Sequence, residues 1–244
     1  MIAIFGFGRF GKLMAQYLSR DYDVCVHTRS DCDQEIEAAG ASPVSFEDAC
    51  SQKILILAVP ISAMRLTLTK IAPKLKPGSL VVDVCSVKEY PVQLMQASLP
   101  EDISILATHP MFGPDSAADS LEGRKIVVCR ERIEIAVYQK IVSYLKSKGL
   151  VVIETSPEVH DRQIAISLAL THFIGRSLSE FGAVPFDIDT EGYKRLLHVL
   201  EVVENDTWQL FEDMNRYNPY AAESRQTFLD AVQTIHNKLG PGDS

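Results

Sequence analysis

The sequence predicts an α/β domain with a doubly wound parallel sheet, followed by an all-helical domain. In the first 154 residues, short apolar runs alternate with amphipathic stretches of helical period, a pattern typical of a parallel sheet covered by helices on both faces. A glycine-rich turn joins the first apolar run to the first helical stretch. After Ile153 only helical patterns follow. These three observations predict domains at residues 1–154 and 155–244.

The first domain contains seven predicted strands. Each is a short run rich in Val, Ile and Leu that turn residues bound on both sides, which favours a strand over a buried helix. The predicted strands cover residues 2–5, 24–28, 54–59, 80–84, 103–107, 126–129 and 151–153. The helical patterns between them cover residues 9–18, 34–39, 61–71, 90–97 and 133–147.

The second domain opens with a helix whose first and last residues are well marked. Ser156 is a favourable N-cap and Pro157 suits the first helical position, while Gly182 and Pro185 end the pattern. The predicted helices cover residues 158–181, 190–203, 206–216 and 220–239. A helical unit this small with long apolar faces often completes its core against a second copy. We therefore expect a homodimer formed through this domain.

The composition excludes several functional classes. Apolar residues make up 46% of the 244 residues, enough for a packed core. The net charge is −8, and after residue 154 the chain carries 7 basic and 14 acidic side chains. A nucleic-acid-binding chain would instead cluster Lys and Arg. No apolar run approaches the roughly 20 residues of a membrane-spanning helix.

The five cysteines have neither disulfide nor metal-site spacing. None belongs to a C-x-x-C pair, and three lie in apolar runs; they are Cys25, Cys32, Cys50, Cys85 and Cys129. We therefore expect reduced thiols, a cytoplasmic location and no metal site.

The turn Gly6-x-Gly8-x-x-Gly11 predicts a dinucleotide-binding site. It follows an apolar strand and opens an amphipathic helix, which is the context that gives this otherwise weak motif its meaning. The helix N-terminus would then face the pyrophosphate. We expect the cofactor to contact Gly6, Phe7, Gly8, Arg9, Phe10, Gly11, Thr28, Arg29, Ser30, Val59 and Pro60.

The end of the second strand favours NADP over NAD. NAD-selective sites place a carboxylate here to bind the ribose hydroxyls, but this segment reads Thr28-Arg29-Ser30. A guanidinium and two hydroxyls suit the 2′-phosphate of NADP. In the alternative interpretation, Arg29 is a solvated cation and Asp31 binds the ribose of NAD.

Polar side chains follow two further strands. One strand leads to Ser86 and Lys88, and the next ends at His109. Ligands of open α/β sheets bind beyond the carboxyl ends of the strands. A histidine in that position can accept a hydroxyl proton as hydride leaves the same carbon, and a nearby serine can orient the histidine.

The first helix of the second domain carries a third polar segment. His172 and Arg176 are i,i+4 neighbours and can form an anion clamp. The pair His160-Asp161 has two open interpretations: a hydrogen-bonded link between the domains, or a substrate contact.

These ordered motifs resemble the prephenate/arogenate dehydrogenase family, and most closely its plant-like arogenate branch. The resemblance runs from "IAIFGFGRFG" through "VDVCSVKEYP", "THPMFGPDS" and "EVHDRQIA" to "THFIGR". It implies a Rossmann-type domain followed by an all-helical dimerisation domain. It also implies NADP-dependent oxidative decarboxylation of arogenate to tyrosine, or of prephenate to 4-hydroxyphenylpyruvate.

The resemblance further implies individual roles. His109 is expected to act on the ring C4 hydroxyl, Ser86 to hydrogen-bond His109, and His172 to lie in the substrate pocket. Asp119 stands where plant-like arogenate enzymes carry an acidic residue, which favours arogenate because that substrate has an ammonium group. Lys88 is also assigned to the substrate site.

The sequence departs from the family pattern at two points. The substrate-binding arginine that many bacterial members carry in a glycine-rich context is not found, so Arg176 takes that expected role, ahead of Lys194 and Arg195. In addition, Ala117 stands where the family usually has a glycine.

Two other functional classes compete with this prediction. A β-hydroxyacid or imine reductase would share the cofactor and a helical second domain, but those enzymes lack a His-Pro after a late strand. A non-catalytic NADP-binding sensor would need only the phosphate site of the first domain, and this chain also carries Ser86, His109, His172 and Arg176.

Overall fold

The computed structural model describes residues 1–240. The chain divides into two compact units between His160 and Asp161. This division lies inside a helix, Pro157–Ile164, and not at the predicted 154/155. We call residues 1–160 the sheet unit and the residues that follow the helical unit.

An eight-stranded sheet runs through residues 1–160. Its strands are β1 (Ile2–Phe5), β2 (Val24–His27), β3 (Ser42–Pro43), β4 (Ile54–Leu57), β5 (Leu80–Asp83), β6 (Ser104–Pro110), β7 (Lys125–Arg132) and β8 (Val151–Glu154). Their order across the sheet is β3-β2-β1-β4-β5-β6-β7-β8. The strand order reverses between β1 and β4: the chain first adds strands on one side of β1 and then adds them on the other side. This is the order of a doubly wound nucleotide-binding fold. The predicted fold class is confirmed.

The predicted parallel sheet contains one antiparallel pair, between β6 and β7. The strands from β3 to β6 are parallel, but β7 pairs antiparallel with β6, so that His109 lies opposite Val127. Residues 111–124 contain no helix, and a strand returns parallel only after a crossover connection. Here the chain turns straight back, and β8 then pairs parallel with β7.

Helices cover both faces of the sheet. They are α1 (Arg9–Leu18), α2 (Asp33–Ala38), α3 (Phe46–Cys50), α4 (Met64–Ile71), α5 (Glu89–Ser98) and α6 (Ile135–Ser147). The central strands are buried on both faces, as Ala3, Ile4, Leu55 and Ile105 show. This explains why their sequences are continuously apolar and do not alternate.

Two short elements escaped the sequence prediction. Strand β3 has two residues, and α3 has five. A hydrophobic period cannot be recognised over so few positions.

The helical unit continues from α7 (Pro157–Ile164) through a π-helical segment (Ala165–Leu170) into α8 (Thr171–Phe181), α9 (Glu191–Glu204), α10 (Trp208–Arg216) and α11 (Ala221–Leu239). The helix predicted over residues 158–181 is therefore interrupted in its middle by wider turns. Hydroxyls of Thr190 and Thr207 cap α9 and α10 by accepting backbone N–H bonds. In residues 1–240, none of the helices combines the length and apolar content that a bilayer crossing requires.

Close packing of α8 on α9 depends on Gly175. A Cβ atom at this position would lie 2.5 Å from Val203 Cγ2 and 3.2 Å from the Val199 carbonyl oxygen. Val203 is fully buried, so its side chain has little room to move. The two helices can therefore approach this closely only where the side chain is absent.

We expect Gly175→Ala to destabilise the protein by about 1–3 kcal/mol, the usual effect of overpacking a core. The matched control is Gly192→Ala near the start of α9, where a Cβ would meet only Thr190 Oγ1 at 3.8 Å. That change should be neutral or stabilising, because alanine favours helix. Urea unfolding of the two variants gives the comparison, and equal stabilities would contradict the proposed helix contact.

Candidate active site

The glycine turn between β1 and α1 has the geometry of a phosphate cradle. Gly6 has φ +101°, and a Cβ there would lie 2.4 Å from the Ala58 carbonyl oxygen. A Cβ at Gly11 would lie 2.3 Å from the Gly6 carbonyl oxygen, whereas at Gly8 it would meet nothing within 4 Å. Gly6 and Gly11 are thus required for packing, and the open space lies at Gly8.

The N-terminus of α1 is left open to an anion. Gly8 occupies the N-cap position without a side-chain cap, and the first turn has no acidic residue. No N-cap side chain and no carboxylate of the first turn therefore offsets the positive end of the helix dipole. These features fit the pyrophosphate of a dinucleotide.

The end of β2 presents a cation and two hydroxyls. Thr28 Oγ1 accepts a hydrogen bond from the Ser30 backbone N–H at 3.3 Å, and Arg29 is exposed at the bend between them. Asp31 follows and is also exposed. The segment has the shape of a turn beyond a strand end, where the ribose of a dinucleotide lies in this class of fold.

A buried ion pair joins the ends of β5 and β6. Lys88 and Asp83 are both fully buried, and Lys88 Nζ donates to Asp83 Oδ2. Lys88 Nζ also donates to the Thr108 carbonyl oxygen at 2.5 Å, and Thr108 Oγ1 donates to the Asp83 carbonyl oxygen at 2.6 Å. Asp83 Oδ2 further accepts the Cys85 backbone N–H at 3.0 Å. The segment that leads to Ser86 is thereby tied to the strand that carries His109.

This arrangement changes the expected role of Lys88. Its side chain has no solvent exposure, and its ammonium already faces Asp83 and Thr108. A direct substrate contact, which the sequence suggested, does not fit such a position. The geometry instead makes Lys88 a group that holds the two strand ends together.

His109 is the second-last residue of β6 and faces another histidine. Its Nδ1 lies 2.8 Å from Nε2 of His160, and the two rings meet edge to face with centroids 5.1 Å apart. Both side chains are buried. Burial lowers the pKa of His109 well below its ordinary value, and the neighbouring His160 and Lys88 lower it further. His109 is therefore a neutral imidazole at neutral pH.

The predicted hydrogen bond from Ser86 to His109 is not made in this structure. Ser86 Oγ is buried and has no hydrogen-bond partner among residues 1–240. The His109 nitrogen that is engaged bonds to His160. A buried hydroxyl without a partner is uncommon and calls for an explanation; a polar atom of a ligand would satisfy it.

The loop after β6 packs against α1. Asp115 pairs with Arg9 at 2.5 Å, and Tyr17 OH donates to the carbonyl oxygen of Ala117, which is buried. Asp119 lines a cavity of about 300 Å³ on this side of the sheet unit, together with Tyr144. Asp119 and Asp115 thus lie in a loop held by contacts to the first helix.

In the helical unit, His172 and Arg176 converge on the connection between α9 and α10. His172 Nε2 lies 3.6 Å from Asp206 Oδ2. Burial lowers the pKa of His172, an effect that Asp206 opposes. Nδ1 of His172 is buried and has no hydrogen-bond partner within the described part of the chain.

Arg176 has acquired structural partners. Its Nη2 donates to the carbonyl oxygens of Val203 at 2.9 Å and Asp206 at 2.5 Å, and its guanidinium lies 5.5 Å from the ring centre of Trp208. Arg176 therefore satisfies carbonyls at the C-terminal end of α9. This capping role competes with the anion-binding role that the sequence suggested. Lys194, another candidate, is exposed and pairs with Asp189 and Glu191.

Sequence reasoning missed the groups that support His109. Asp83 and Thr108 fit the pattern of ordinary strand residues. Two polar side chains at the ends of buried apolar strands nevertheless indicate a buried hydrogen-bond network. His160 was singled out, but 51 positions separate it from His109, and no local pattern pairs the two.

Known proteins resemble this chain in sequence over most of its length. Residues 17–154 match the family described as "Prephenate dehydrogenase, nucleotide-binding domain", and residues 177–242 match "TYRAAT1-like, C-terminal domain". The chain is 34% identical over 98% of its length to Arogenate dehydrogenase 2, chloroplastic, of Arabidopsis thaliana. It is 32% identical, also over 98% of its length, to Arogenate dehydrogenase 1, chloroplastic, of the same plant. It spans 69% of the first relative and 39% of the second.

Solved structures share the fold. Prephenate dehydrogenase from Aquifex aeolicus aligns over 98% of this chain and 91% of its own, with a TM-score of 0.77 and 18% identity. Synechocystis arogenate dehydrogenase aligns over 98% of this chain and 93% of its own, with a TM-score of 0.70 and 22% identity. The match to the family over more than half of the residues, together with 34% identity to a relative of which the chain spans 69%, decides the assignment. The chain belongs to the prephenate dehydrogenase family of oxidoreductases.

Proposed function

We propose that this protein is an NADP-dependent arogenate dehydrogenase that oxidises and decarboxylates arogenate to tyrosine. The observation that carries the proposal is a buried, neutral His109 at the carboxyl ends of the parallel strands. The open phosphate cradle of the glycine turn lies at the same ends. Family membership and the two plant relatives support the choice of reaction. Prephenate, with 4-hydroxyphenylpyruvate as product, is the alternative substrate.

His109 is proposed to hold and deprotonate the ring C4 hydroxyl. Nδ1 of His109 is engaged by His160, which leaves Nε2 as the ring nitrogen proposed to meet the substrate hydroxyl. A neutral Nε2 lone pair can accept the hydroxyl proton as the C4–H bond breaks. The bound nicotinamide supplies the hydride acceptor.

Ser86 is proposed to complete the hydrogen bonding once a ligand is present. Its Oγ is buried without a partner, and its position follows from the buried Asp83–Lys88 pair. A ligand hydroxyl would satisfy it and orient the C4 oxygen between Ser86 and His109. Loss of carbon dioxide from C1 then restores the aromatic ring and moves the electron pair onto the C4 oxygen, which takes back the proton held by His109.

The preference for arogenate rests on the plant relatives and on Asp119. Arogenate carries an ammonium group where prephenate carries a keto group, and a nearby carboxylate would favour the ammonium. Asp119 is exposed, so its charge is available to a ligand. We propose that His172 contacts the substrate. We also propose that Arg176 binds the ring carboxylate, although its guanidinium already donates to the carbonyl oxygens of Val203 and Asp206.

NADP is proposed as the cofactor because of Arg29. Its exposed guanidinium follows β2, and the Thr28 and Ser30 hydroxyls flank it. A guanidinium binds phosphate with charge-assisted hydrogen bonds that a ribose hydroxyl cannot make. NAD use, with Asp31 on the ribose, is the alternative. The proposed location stays cytoplasmic, as the reduced thiols suggest.

A homodimer through the helical unit is proposed from its exposed apolar side chains. Leu229, Val232, Ile235 and Leu239 share one face of α11 and are 45%, 50%, 56% and 79% exposed. The spacing of three or four residues aligns them along one stripe. An apolar stripe this long on a small unit is typical of a surface that a second copy covers.

The His109 experiment tests the proposed chemistry. His109→Gln should lower kcat with arogenate by about 10²–10⁴-fold, the usual contribution of general acid–base catalysis, while NADP still binds. His198→Gln is the control, because His198 is 74% exposed, and it should leave kcat unchanged. Near-wild-type turnover in His109→Gln would contradict the mechanism.

The proposed role of His109 as a base also predicts the pH profile of the wild type. His109 accepts a proton only when neutral, that is, above its pKa. Because burial lowers the pKa of His109 well below 6.5, kcat/KM should stay high at pH 6.5 and fall only at lower pH.

The cofactor assignment is tested by Arg29→Ala. We expect KM for NADP to rise at least tenfold and KM for NAD to change little, since only the contact to the 2′-phosphate is removed. Arg29→Lys keeps the charge, so its KM for NADP should lie between the values of the wild type and of Arg29→Ala. Equal losses with both cofactors would rule out this role for Arg29.

The assembly is tested by Ile235→Glu. A buried charge without a partner is strongly unfavourable in an apolar interface, so the wild type should sediment as a dimer and the variant as a monomer at micromolar concentration. Gln233→Glu, on the same helix, is the control for added charge. A monomeric wild type would overturn the proposal.

A further inference from the structure

The contact between His109 and His160 allows only one proton between the two nitrogens. Nδ1 of His109 and Nε2 of His160 are 2.8 Å apart, a hydrogen-bond distance that requires one donor and one acceptor. If His109 donates, its Nε2 keeps a free lone pair. If His160 donates, His109 must carry its own proton on Nε2, where it can no longer act as a base.

We propose that His160 is a positioning residue for His109. Its Nε2 accepts the His109 Nδ1–H and so holds His109 in the tautomer whose Nε2 can take the substrate proton. The inference deepens the proposed function and rests on it, because only an enzyme that deprotonates its substrate needs this tautomer.

The local structure fixes His160 for this role. It lies in the first turn of α7, where its backbone N–H donates to the Ser156 carbonyl oxygen at 3.0 Å. Ser156 Oγ accepts the Val159 backbone N–H at 3.3 Å and caps the helix. The His160 side chain is buried, so its ring is held against His109 by packing as well as by the hydrogen bond.

An imidazole suits this buried position better than a carboxylate would. A carboxylate beside His109 would favour the imidazolium and raise the pKa of His109. Within residues 1–240, the charged or titratable groups that shift the pKa of His109 are His160 and Lys88, and neither is an anion. His160 therefore orients His109 without making it a resting cation, and when His109 takes the substrate proton, the Nδ1–H bond to His160 stays in place.

The tautomer can be measured without any turnover. In protein labelled with ¹⁵N-histidine, the ring nitrogens of His109 are assigned by loss of their signals in His109→Gln. We expect protonated Nδ1 and unprotonated Nε2 in the wild type, and a shift toward protonated Nε2 in His160→Leu. A wild-type His109 with its proton on Nε2 would overturn the proposal, whether or not the protein oxidises arogenate.

Kinetics of paired variants test the consequence. His160→Gln keeps a hydrogen-bond acceptor, whereas His160→Leu fills the space without one. We expect kcat to fall about 10- to 100-fold in His160→Leu and to recover at least fivefold in His160→Gln, with KM for both ligands within about twofold of wild type. His198→Leu, at an exposed site, is the control.

A purely structural role would give a different result. The two His160 variants would then lose activity equally, in step with their thermal stability and NADP binding, and the proposal would be wrong. A wild type that acts on neither ring acid would contradict the proposed function, while the ¹⁵N measurement still decides the role of His160.

Discussion

The buried ion pair of Asp83 and Lys88 is the interaction on which the geometry of this site depends. Both side chains are fully buried, and removing either partner would leave an uncompensated charge in the interior, a strongly unfavourable state. The pair is held by hydrogen bonds to Cys85 and Thr108. It therefore persists only if the ends of β5 and β6 keep their relative positions.

The ion pair fixes the positions of the polar groups at the carboxyl ends of the strands. Ser86 follows β5 by three residues, and His109 follows Thr108 directly in β6, so the ion pair fixes the backbone on which both groups stand. The parallel pairing of β1, β4, β5 and β6 brings the glycine turn, Ser86 and His109 to the same edge. Burial then keeps His109 neutral by lowering its pKa. A base, an unpartnered hydroxyl and a phosphate cradle thus follow from the strand order and from one buried charge pair.

Sequence patterns predicted the elements better than their tertiary relations. The glycine spacing, the apolar strands and the change to helices after Ile153 depend on neighbouring residues, and they predicted the fold class correctly. The predicted elements already lacked a helix between the strands at 103–107 and 126–129, and this missing crossover was the sequence sign of the antiparallel β7. The partner of His109 and the capping contacts of Arg176 are set by residues far away in sequence, so the candidate site was predicted as residue types and not as contacts.

The helical unit shows the same division between pattern and context. Its helices were predicted from apolar spacing, but the π-helical turns were not. The close approach of α8 and α9 at Gly175 depends on packing against Val203. The exposed stripe on α11 was visible in the sequence as an apolar face, and the structure leaves it uncovered in the single chain.

We propose that the protein oxidises a cyclohexadienyl acid at the carboxyl ends of its parallel strands. The most direct measurement follows reduced nicotinamide and the aromatic product when the purified protein receives arogenate or prephenate with NADP or NAD. The account predicts tyrosine formation from arogenate with NADP, at a kcat/KM above that for prephenate. Formation of neither product with either cofactor would contradict it.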